Sequence, residues 1–404
     1  MEKKIKVCMI TNWYPTEDNP YQGVFFRDQA LAMNGIADFH VIHYKSVFGT
    51  RRDTHQIEIC KTEKNIKEYQ LTLYFSEMYN LKCEWKRRFT RKKINREEDS
   101  CTRFVKAFEE LFKEEFDVLY CVSGQGESKY LMYLSEKYNK PYIVGEHGVV
   151  PWLDTCVSEI NKKAIMNADL FLAISYEKLR QVMMLGIRPK KVMYIGNMVD
   201  DTKFVLKKSN NKIKTLLAVG ANVFYKNYEM LFEVINRVKK LSNTPFNLLI
   251  VGYGANEGYA REIKEFEERT KKLGIAENIQ LISKVHHDEM VHIYNKADAF
   301  VMTSIQEGQP VSAMEAGCCG LPIFSTRCGG VEDYVNDEIG RLYGLFDVDG
   351  FAQGLCDFLE NRIEFDSLTI REQIVNRFGK ETFCNNMKSA LRMVMDQNNN
   401  LQKQ

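Results

Sequence analysis

Two glutamates, Glu307 and Glu315, stand eight positions apart around the predicted start of a helix. Pro310 lies between them and suits the first turn of that helix, because its fixed φ matches and its missing N–H would be unpaired there. The free N–H groups and the dipole of a helix N-terminus favour an anion. A carboxylate, an anion site and a second carboxylate are the groups that a ligand made of a sugar, a diphosphate and a ribose would require. The segment 303–322 is therefore predicted to bind such a ligand.

The predicted helix that carries Glu315 is otherwise built from small and apolar residues. These residues are Val311, Ala313, Met314, Ala316, Gly317 and Cys318. The composition indicates close packing under a sheet, and Gly317 and Gly320 are predicted to mark the end of the helix. A single carboxylate in such surroundings is costly unless a polar group meets it. We therefore expect a polar partner or a ligand at Glu315.

Length and composition are those of an ordinary globular protein with two domains. The chain has 404 residues, of which 45% are hydrophobic and 27% charged, and its net charge is +2. This balance gives no general attraction to nucleic acid, so no nucleic-acid partner is expected. Eleven cysteines without metal-like spacing indicate reduced thiols. The N-terminus is typical of a first strand rather than a signal peptide, and no apolar run approaches the roughly 18 residues of a spanning helix. A cytoplasmic protein is expected, or one bound peripherally to the membrane from that side.

Short apolar runs alternate with helical patterns, which is typical of parallel sheets covered by helices on both faces. The first set of runs is 6–11, 38–44, 118–123, 141–146, 170–175 and 192–197. After a polar stretch, a second set follows at 215–221, 247–254, 279–283, 299–304, 321–326 and 340–345. The pattern predicts two doubly wound α/β domains, 1–197 and 215–381, joined by a linker at 198–214.

Two such domains in tandem place the carboxyl ends of their strands around a shared cleft, the usual binding site of these sheets. The segment 303–322 begins at the end of the run AFVMTS and therefore borders that cleft. Lys226 follows TLLAVGA, His147 follows PYIVGE, and Gly23 lies in the turn after the first run. Each has a plainer interpretation, as a surface lysine, a histidine bonded to backbone or a turn glycine. For Lys226 and His147, the common position at strand ends favours a functional interpretation.

Residues 46–103 are polar and irregular, and they contain a cluster of positive charge at 82–96. Trp85 and Phe89 lie four positions apart in this cluster, so a helix there would present an aromatic edge among basic residues. Such a surface could rest on anionic lipid. A solvated face is the commoner meaning of a charge run, so a peripheral membrane contact is one of two interpretations.

Two further patterns suggest other sites and have simpler explanations. Asp347 and Asp349 have the spacing of a metal-binding pair, yet they precede a helix that an aspartate is predicted to cap. His286 and His287 lack ligand partners at zinc spacing and are predicted to be a surface pair. A glycosidase would need two carboxylates flanking one bond at about 5–10 Å. Here a helix start intervenes between the glutamates, which favours a phosphate-bearing ligand.

With these residues in place, the chain resembles glycosyltransferase family 4, the retaining nucleotide-sugar transferases of GT-B fold. The resemblance covers most of the chain outside roughly 46–115. Its motifs are YPTEDNPYQGVFFRDQA, EHG, ADLFLAIS with IGNMVD, VGANVFYKN, LLIVGYG and ADAFVMTSIQEGQPVSAMEAGCCGLPIFSTRCGGVEDYV. The paired glutamates with glycine, proline and EAxxxGxP around them are the specific signal. The resemblance implies two Rossmann-like domains facing a central cleft, with the last helix, 382–404, returning to the first domain.

The resemblance also implies roles for individual side chains. Glu307 should hold hydroxyls of the donor sugar, and Glu315 should hold the ribose diol. Lys226 should offset charge on the leaving group. His147 should lie beside the donor sugar and the acceptor.

The remaining implied contacts are with the phosphates and the base. The backbone N–H groups that would face the diphosphate are those of Gly308, Gln309, Val311 and Ser312. Gly23 should bring backbone to the phosphates, and Val285 should contact the base through its backbone. The family commonly has an arginine where this chain has Ala221. Asn222 beside it could hydrogen-bond a phosphate but cannot replace the charge.

Two functions from different classes remain open on the sequence alone. The first is retaining transfer of a sugar from a nucleotide-diphosphate sugar to a glycan or lipid-linked acceptor in surface polysaccharide synthesis. No cofactor or metal is expected, since the aspartate pair is predicted to cap a helix. No enzyme nucleophile is expected either, because the leaving phosphate itself could deprotonate an acceptor arriving on the same face, as is proposed for the family. The second is a non-catalytic GT-B module that binds a sugar nucleotide or a partner, which Ala221 makes plausible. Glu307, Glu315, Lys226 and His147 together favour catalysis.

Overall fold

The computed structural model describes residues 4–17, 19, 22–76, 96–148, 157–206, 211–253, 259–282 and 285–401. Within these residues the strands form one sheet of eight strands and one of six. Each sheet has a hydrophobic core on both of its faces. The prediction of two doubly wound α/β domains is confirmed.

The first domain is built on the eight-stranded sheet. Its strands are β1 (Ile5–Thr11), β2 (Ala37–Thr50), β3 (Thr54–Glu63), β4 (Ile66–Ser76), β5 (Val118–Cys121), β6 (Tyr142–Glu146), β7 (Leu170–Ala173) and β8 (Val192–Tyr194). Their order is β3-β4-β2-β1-β5-β6-β7-β8, and β3 is antiparallel to β4 whereas the other neighbours are parallel. The parallel strands all end at the same edge of the sheet, which places the loops after β1 and β6 on one side of the domain.

The strands β3 and β4 lie in the segment that the sequence presented as polar and irregular, and that interpretation is wrong for 54–76. β3 is the edge strand, and most of its residues are exposed. β4 buries one face more than the other. Strands with a solvated face need no continuous apolar run, so short apolar runs do not predict them.

The second domain is built on the six-stranded sheet. Its strands are β9 (Lys214–Val219), β10 (Phe246–Val251), β11 (Ile279–Ile282), β12 (Ala299–Met302), β13 (Ile323–Thr326) and β14 (Gly340–Tyr343). They are all parallel, in the order β11-β10-β9-β12-β13-β14. The direction of winding reverses between β9 and β12. In open sheets of this kind, the carboxyl ends of the strands at such a reversal form the binding crevice.

Helices cover both sheets. The structure contains α1 (Val24–Ala32), α2 (Arg96–Leu111), α3 (Ser128–Tyr138), α4 (Glu159–Asn167), α5 (Tyr176–Met184), α6 (Tyr228–Leu241), α7 (Tyr259–Lys272), α8 (Met290–Tyr294), α9 (Val311–Cys318), α10 (Val348–Leu359), α11 (Ser367–Phe378) and α12 (Lys380–Leu401). Short 3-10 turns occur at Phe224–Lys226, Ala276–Asn278 and His287–Glu289. The side chains of Ser158 and Ser175 cap α4 and α5 by accepting from backbone N–H groups in the first turn of each helix.

The last helix packs on the first domain, although it follows the second domain in the chain. Phe383, Met387 and Leu391 of α12 share a hydrophobic core with Val7 and Phe26 of the first domain. Burying apolar side chains of this kind stabilises the contact by about 25 cal/mol for each Å² removed from water. The chain therefore returns from the second domain to the first at α12.

None of the helices described by the structure is long and apolar enough to cross a membrane. The basic residues on which the predicted membrane contact rests lie outside the described residues, except for Arg96 at the start of α2. That contact stays a prediction.

Candidate active site

The segment 303–322 folds into a loop after β12 and the short helix α9. Pro310 has φ −71° and ψ 106° and occupies the N-cap, so its predicted place in the first turn is off by one position. Gly317 lies inside the helix and does not end it. A Cβ at Gly317 would lie 2.8 Å from Ile374 Cγ1, so its absence permits the close packing of α9. Gly320 follows the helix with φ +81°, as expected of a terminating glycine.

The loop before α9 is held by the turns that follow the two neighbouring strands. The Ile305 N–H donates to Tyr225 O at 2.7 Å, which attaches the loop to the turn after β9. The Glu307 N–H donates to Cys328 O at 2.7 Å, which attaches it to the turn after β13. These contacts place the backbone of Glu307 at the reversal point of the second sheet.

Glu307 and Lys226 form an ion pair at this point. Lys226 Nζ donates to Glu307 Oε1 at 2.7 Å, and Ser304 Oγ donates to the same oxygen at 2.8 Å. The side chain of Glu307 is 4% exposed and that of Lys226 is 18% exposed. Burial lowers the pKa of Lys226, but the Glu307 carboxylate outweighs that effect and raises the pKa above its ordinary value. The lysine therefore stays charged near the start of α9.

Glu315 lies on α9 with both of its carboxylate oxygens hydrogen-bonded. Its Oε1 is 2.9 Å from His287 Nε2, and its Oε2 accepts from Tyr294 OH at 2.7 Å. The chain itself thus supplies the polar partner that a buried carboxylate requires. The predicted surface pair is wrong for His287, whose side chain is 29% exposed and contacts Glu315. His286 has 60% of its side chain exposed.

His147, at the end of β6, reaches the second domain through Asn197. His147 Nδ1 is 2.9 Å from Asn197 Oδ1, while Asn197 Nδ2 donates to Gln309 O at 3.0 Å. Because the amide nitrogen of Asn197 is used as a donor, its oxygen accepts, and this network assigns the ring proton of His147 to Nδ1. Burial lowers the pKa of His147 to about 4, against a smaller opposing effect of the bond to Asn197. The imidazole is neutral at pH 7, and its unprotonated Nε2 can accept a hydrogen bond from a hydroxyl.

Gln309 adds side-chain contacts between the domains to its implied backbone role. The Asn197 N–H donates to Gln309 Oε1 at 2.5 Å, and Gln309 Nε2 donates to Tyr194 OH at 3.0 Å. Next to it, Gly308 lies so close to the first domain that a Cβ would be 3.3 Å from Gly148 O. Both residues therefore bring the loop of Glu307 against the end of β6.

The other implied contact residues are distributed over three strand ends. Val311 and Ser312 form the first turn of α9, where N–H groups have no intrahelical acceptor and can serve an anion. Asn222 follows β9 and Val285 follows β11, and both are partly buried. Because β10 lies between β11 and β9, Val285 is separated from the reversal point by the width of a strand.

Gly23 occupies the N-cap of α1 with φ +64° and ψ 22°. A Cβ there would lie 2.5 Å from Trp13 O, so glycine is needed both for the left-handed backbone and for this close approach. The close backbone neighbour is thus a residue just beyond the end of β1. The start of α1 lies at the same edge of the first sheet as His147.

Sequence reasoning missed Lys178 as a member of this site. The residue lies on α5 and is fully buried, and its Cε would be 3.3 Å from a Cβ placed on Gly308. Its Nζ donates to Gln181 Oε1 at 3.2 Å. Burial lowers the pKa of Lys178, against the attraction of the carboxylates of Glu146 and Glu307 among others. The sequence does contain a clue to this position, because Lys178 lies in the first turn of α5, the helix that follows β7.

Asp347 and Asp349, whose spacing resembles that of a metal-binding pair, both have structural roles. Asp347 caps α10 by accepting from the Gly350 N–H at 2.8 Å, which confirms the predicted cap. Asp349 forms an ion pair with Arg237 at 2.7 Å. Among the residues that the structure describes, no group of three or more histidine, cysteine, aspartate and glutamate side chains could hold a metal ion.

The second domain matches a family of sugar-transferring proteins. Residues 199–377 match the family model described as "Glycosyl transferases group 1". The chain is 30% identical over 125 residues to the D-inositol 3-phosphate glycosyltransferase of Corynebacterium urealyticum, a match that covers 31% of this chain and 29% of that relative. It is 25% identical over 171 residues to an uncharacterized glycosyltransferase of Methanocaldococcus jannaschii, covering 42% and 40% of the two chains. The matched part thus spans less than half the length of each of these relatives.

Similar solved structures identify the fold as GT-B. Sucrose-phosphate synthase from Thermosynechococcus elongatus superposes with a TM-score of 0.74 at 15% identity, covering 97% of this chain and all of that one. HepE from Anabaena, solved in complex with UDP and glucose, superposes with a TM-score of 0.66 at 14% identity, covering 96% and 99% of the two chains. At these identities the likeness shows the architecture alone. The predicted GT-B fold is thereby confirmed.

Proposed function

We propose that this protein is a retaining glycosyltransferase that moves a sugar from a nucleotide-diphosphate sugar to a glycan or lipid-linked acceptor in surface polysaccharide synthesis. The observation that carries the proposal is the ion pair of Lys226 and Glu307 beside the start of α9. It places a cation that can meet a diphosphate next to a carboxylate that can hold sugar hydroxyls. The match of residues 199–377 to the glycosyl transferase group 1 model supports sugar transfer as the reaction class.

The charge changes of the reaction fit these groups. Breaking the anomeric C–O bond leaves positive charge on the sugar and moves negative charge onto the diphosphate. Lys226 Nζ and the N–H groups of Val311 and Ser312 are fixed donors that can meet this developing anion. Losing one preorganised donor of this kind can cost about 3–4 kcal/mol of barrier. These donors are held in place before the reaction, so little reorganisation is needed as the bond breaks.

No enzyme nucleophile is assigned. If the acceptor hydroxyl approaches on the face that the diphosphate leaves, the departing phosphate oxygen can take its proton and the anomeric configuration is retained. Neutral His147 can then accept a hydrogen bond from a sugar hydroxyl without adding a positive charge beside the cationic sugar. Glu307 acts as a second hydroxyl acceptor, oriented by Lys226 and Ser304.

A donor panel tests the proposal directly. The full chain is incubated with UDP-, GDP- and ADP-sugars, and nucleotide release is followed with and without a lipid extract. We expect release from one nucleotide class, stimulated by an acceptor in the extract. The Anabaena structure with UDP and glucose supports including UDP-glucose. Tight nucleotide binding without turnover across a broad set of acceptors would overturn the enzyme proposal.

The second candidate function is a non-catalytic GT-B module that binds a sugar nucleotide or a partner. The observation that favours it is Ala221, which removes a cation that the resembled family commonly has after β9. Lys178 lies beside Gly308, but it is fully buried, so it does not replace the missing surface cation. The donor panel separates the two functions.

Activity is predicted to survive chelation of divalent metals. Lys226 supplies positive charge beside the proposed diphosphate site, and the aspartate pair with metal-like spacing is used as a helix cap and in an ion pair. Turnover of the best donor should therefore be unchanged within error after treatment with EDTA. Complete loss that added metal restores would contradict this prediction.

We also propose that the protein acts in the cytoplasm, with peripheral contact to the inner face of the membrane through 82–96. The proposal rests on the basic and aromatic composition of that segment. Replacing its lysines and arginines by glutamate should reduce sedimentation of the full chain with anionic vesicles severalfold, and neutral vesicles serve as the control. Equal binding of both proteins to anionic vesicles would contradict the contact.

A further inference from the structure

His287 is an unexpected neighbour of the proposed ribose carboxylate. Its Nε2 lies 2.9 Å from Glu315 Oε1, and Tyr294 OH holds the other oxygen at 2.7 Å. Glu315 has only 8% of its side chain exposed, and Tyr294 is fully buried. The carboxylate is therefore clamped in one orientation by two donors that follow β11.

The opposite side of the His287 ring faces two other segments of the chain. Its Nδ1 is 3.0 Å from Lys203 Nζ, in the stretch that connects the domains, and 4.0 Å from Asp28 Oδ2 on α1 of the first domain. Lys203 Nζ also donates to Asp288 Oδ1 at 2.8 Å. The ring thus lies where α1, the connecting stretch and the second domain meet.

The clamp leaves Glu315 able to bind a ligand. Each carboxylate oxygen has room for about two hydrogen bonds, and His287 and Tyr294 use one on each. One acceptor position per oxygen remains, which matches the two hydroxyl donors of a ribose diol. A carboxylate that is already oriented loses less conformational freedom when the ribose arrives.

We propose that His287 is a positioning residue that fixes Glu315 for the nucleotide ribose. The inference rests on the proposed function, in which Glu315 receives the ribose diol. His287 acts through Glu315 and does not touch the nucleotide. Its loss should weaken binding of ligands that carry the diol and leave other ligands unaffected.

In the neutral ring Nδ1 accepts from Lys203 Nζ and Nε2 donates to Glu315 Oε1. Protonation would add a charge that strengthens the bond to Glu315 and turn Nδ1 into a donor beside Lys203 and Asp28, so the clamp on Glu315 depends on pH. Burial lowers the pKa of His287, but the hydrogen bond and charge of Glu315 raise it more, with Asp28 raising it slightly and Lys203 lowering it, so the net shift is upward. A raised pKa means that the ion pair with Glu315 is complete below the ordinary histidine value of about 6.5 and is lost as pH rises through the higher folded value. Nucleotide affinity that depends on the charged ring therefore falls with rising pH in the window above about 6.5. The other titratable or charged groups facing the ring are Tyr294 and Asp288, with exposed His286 adjacent in sequence.

The test is calorimetric titration of the full chain with UDP, ADP and GDP at several pH values. His287→Leu removes the donor to Glu315, whereas His287→Gln keeps a neutral donor. We expect about tenfold weaker binding of the preferred nucleotide for the leucine variant, about the cost of one charge-assisted hydrogen bond. The glutamine variant should bind the nucleotide nearly as well as the unaltered protein at neutral pH. Its nucleotide affinity should lack the part of the pH dependence that comes from protonation of His287. His286→Asn, at the exposed neighbouring position, should behave as the unaltered protein.

Two controls identify the route of the effect. The phosphate of the nucleotide titrates near pH 6 on its own, so the pH dependence is read as the difference between the unaltered protein and the glutamine variant. The 2′,3′-dideoxy form of the preferred nucleotide lacks the diol, and the leucine variant should bind it as the unaltered protein does. Thermal unfolding shows whether each variant is folded. If the leucine variant does not fold, the glutamine variant alone is used for the test.

The outcomes separate this inference from the proposed function. Unchanged nucleotide affinity in His287→Leu, an equal loss for the dideoxynucleotide, or an unchanged pH profile in His287→Gln would each overturn the role of His287. Absence of binding by all three nucleotides would instead overturn the proposed function, and the inference with it. Binding that does not need Glu315 would remove the premise of the inference while leaving sugar transfer open.

Discussion

Glu307→Gln is expected to slow sugar transfer by about a hundredfold or more, a loss of the size seen when one preorganised electrostatic contact is removed from an active site. Its carboxylate accepts from Lys226 and Ser304 through one oxygen and is nearly fully buried. An amide keeps the shape but removes the charge that holds Lys226 in place and that faces the cationic sugar. Nucleotide affinity should change less than turnover, because the charged Lys226 side chain itself is retained and Ser304 still bonds to position 307. The measurement is turnover at saturating donor, compared with the dissociation constant of the nucleotide.

A matched control distinguishes this loss from general damage. Glu277 lies in the same domain and pairs with Lys239, but its side chain is 80% exposed. Glu277→Gln should leave turnover unchanged, since exposed ion pairs contribute about 0–1 kcal/mol. Removing one partner of a buried pair can cost about 3–5 kcal/mol of folding stability, so thermal unfolding of both variants must accompany the kinetics. Unchanged turnover in a folded Glu307→Gln protein would contradict the assigned role.

Glu315→Gln is expected to weaken nucleotide affinity, with turnover at saturating donor nearly unchanged. Hydrogen bonds to charged groups contribute about 1.5–3 kcal/mol, so the dissociation constant should rise by about 10- to 150-fold. Glutamine offers one acceptor oxygen, yet His287 and Tyr294 both need an acceptor before any ribose arrives. The calorimetric titration proposed for His287 provides the measurement.

The two glutamate variants are most informative as a pair. The assignment predicts opposite signatures, a lower turnover for Glu307→Gln and a weaker nucleotide affinity for Glu315→Gln. Equal losses of affinity with unchanged turnover would mean that the two roles have been misassigned. Glu277→Gln again serves as the exposed control in the affinity measurements.

Much of the scaffold follows from local sequence. Buried parallel strands tend to have apolar runs, and all six strands of the second sheet coincide with the predicted runs, although the edge strands β11 and β14 are mostly only partly buried. The loop and helix carrying Glu307 and Glu315 were also predictable, because proline and glycine constrain the backbone locally. Asp347 is a similar case, since a helix cap bonds to a group only three residues away.

The partners within the site could not be read from the sequence. Asn197 is hydrogen-bonded to Gln309, which is 112 residues away in the chain, and His287 is hydrogen-bonded to Glu315, which is 28 residues away. Nothing in the residues around His287 distinguishes it from its exposed neighbour His286. Lys178 similarly lies in a helix whose pattern permits an exposed lysine, yet it is fully buried against the cleft.

The sequence by itself determined two sheets of mainly parallel strands, except for the antiparallel edge strand β3 and its neighbour β4, and it placed the pair of glutamates at a strand end of the second sheet. Only the tertiary structure decided that Lys226 and Ser304 hold Glu307, that His287 and Tyr294 hold Glu315, and that Asn197 joins His147 to the second domain. The physical reason is the range of the interactions. Periodic burial and backbone constraints act between near neighbours in the chain, whereas the partner of a buried polar group is chosen by the packing of distant segments.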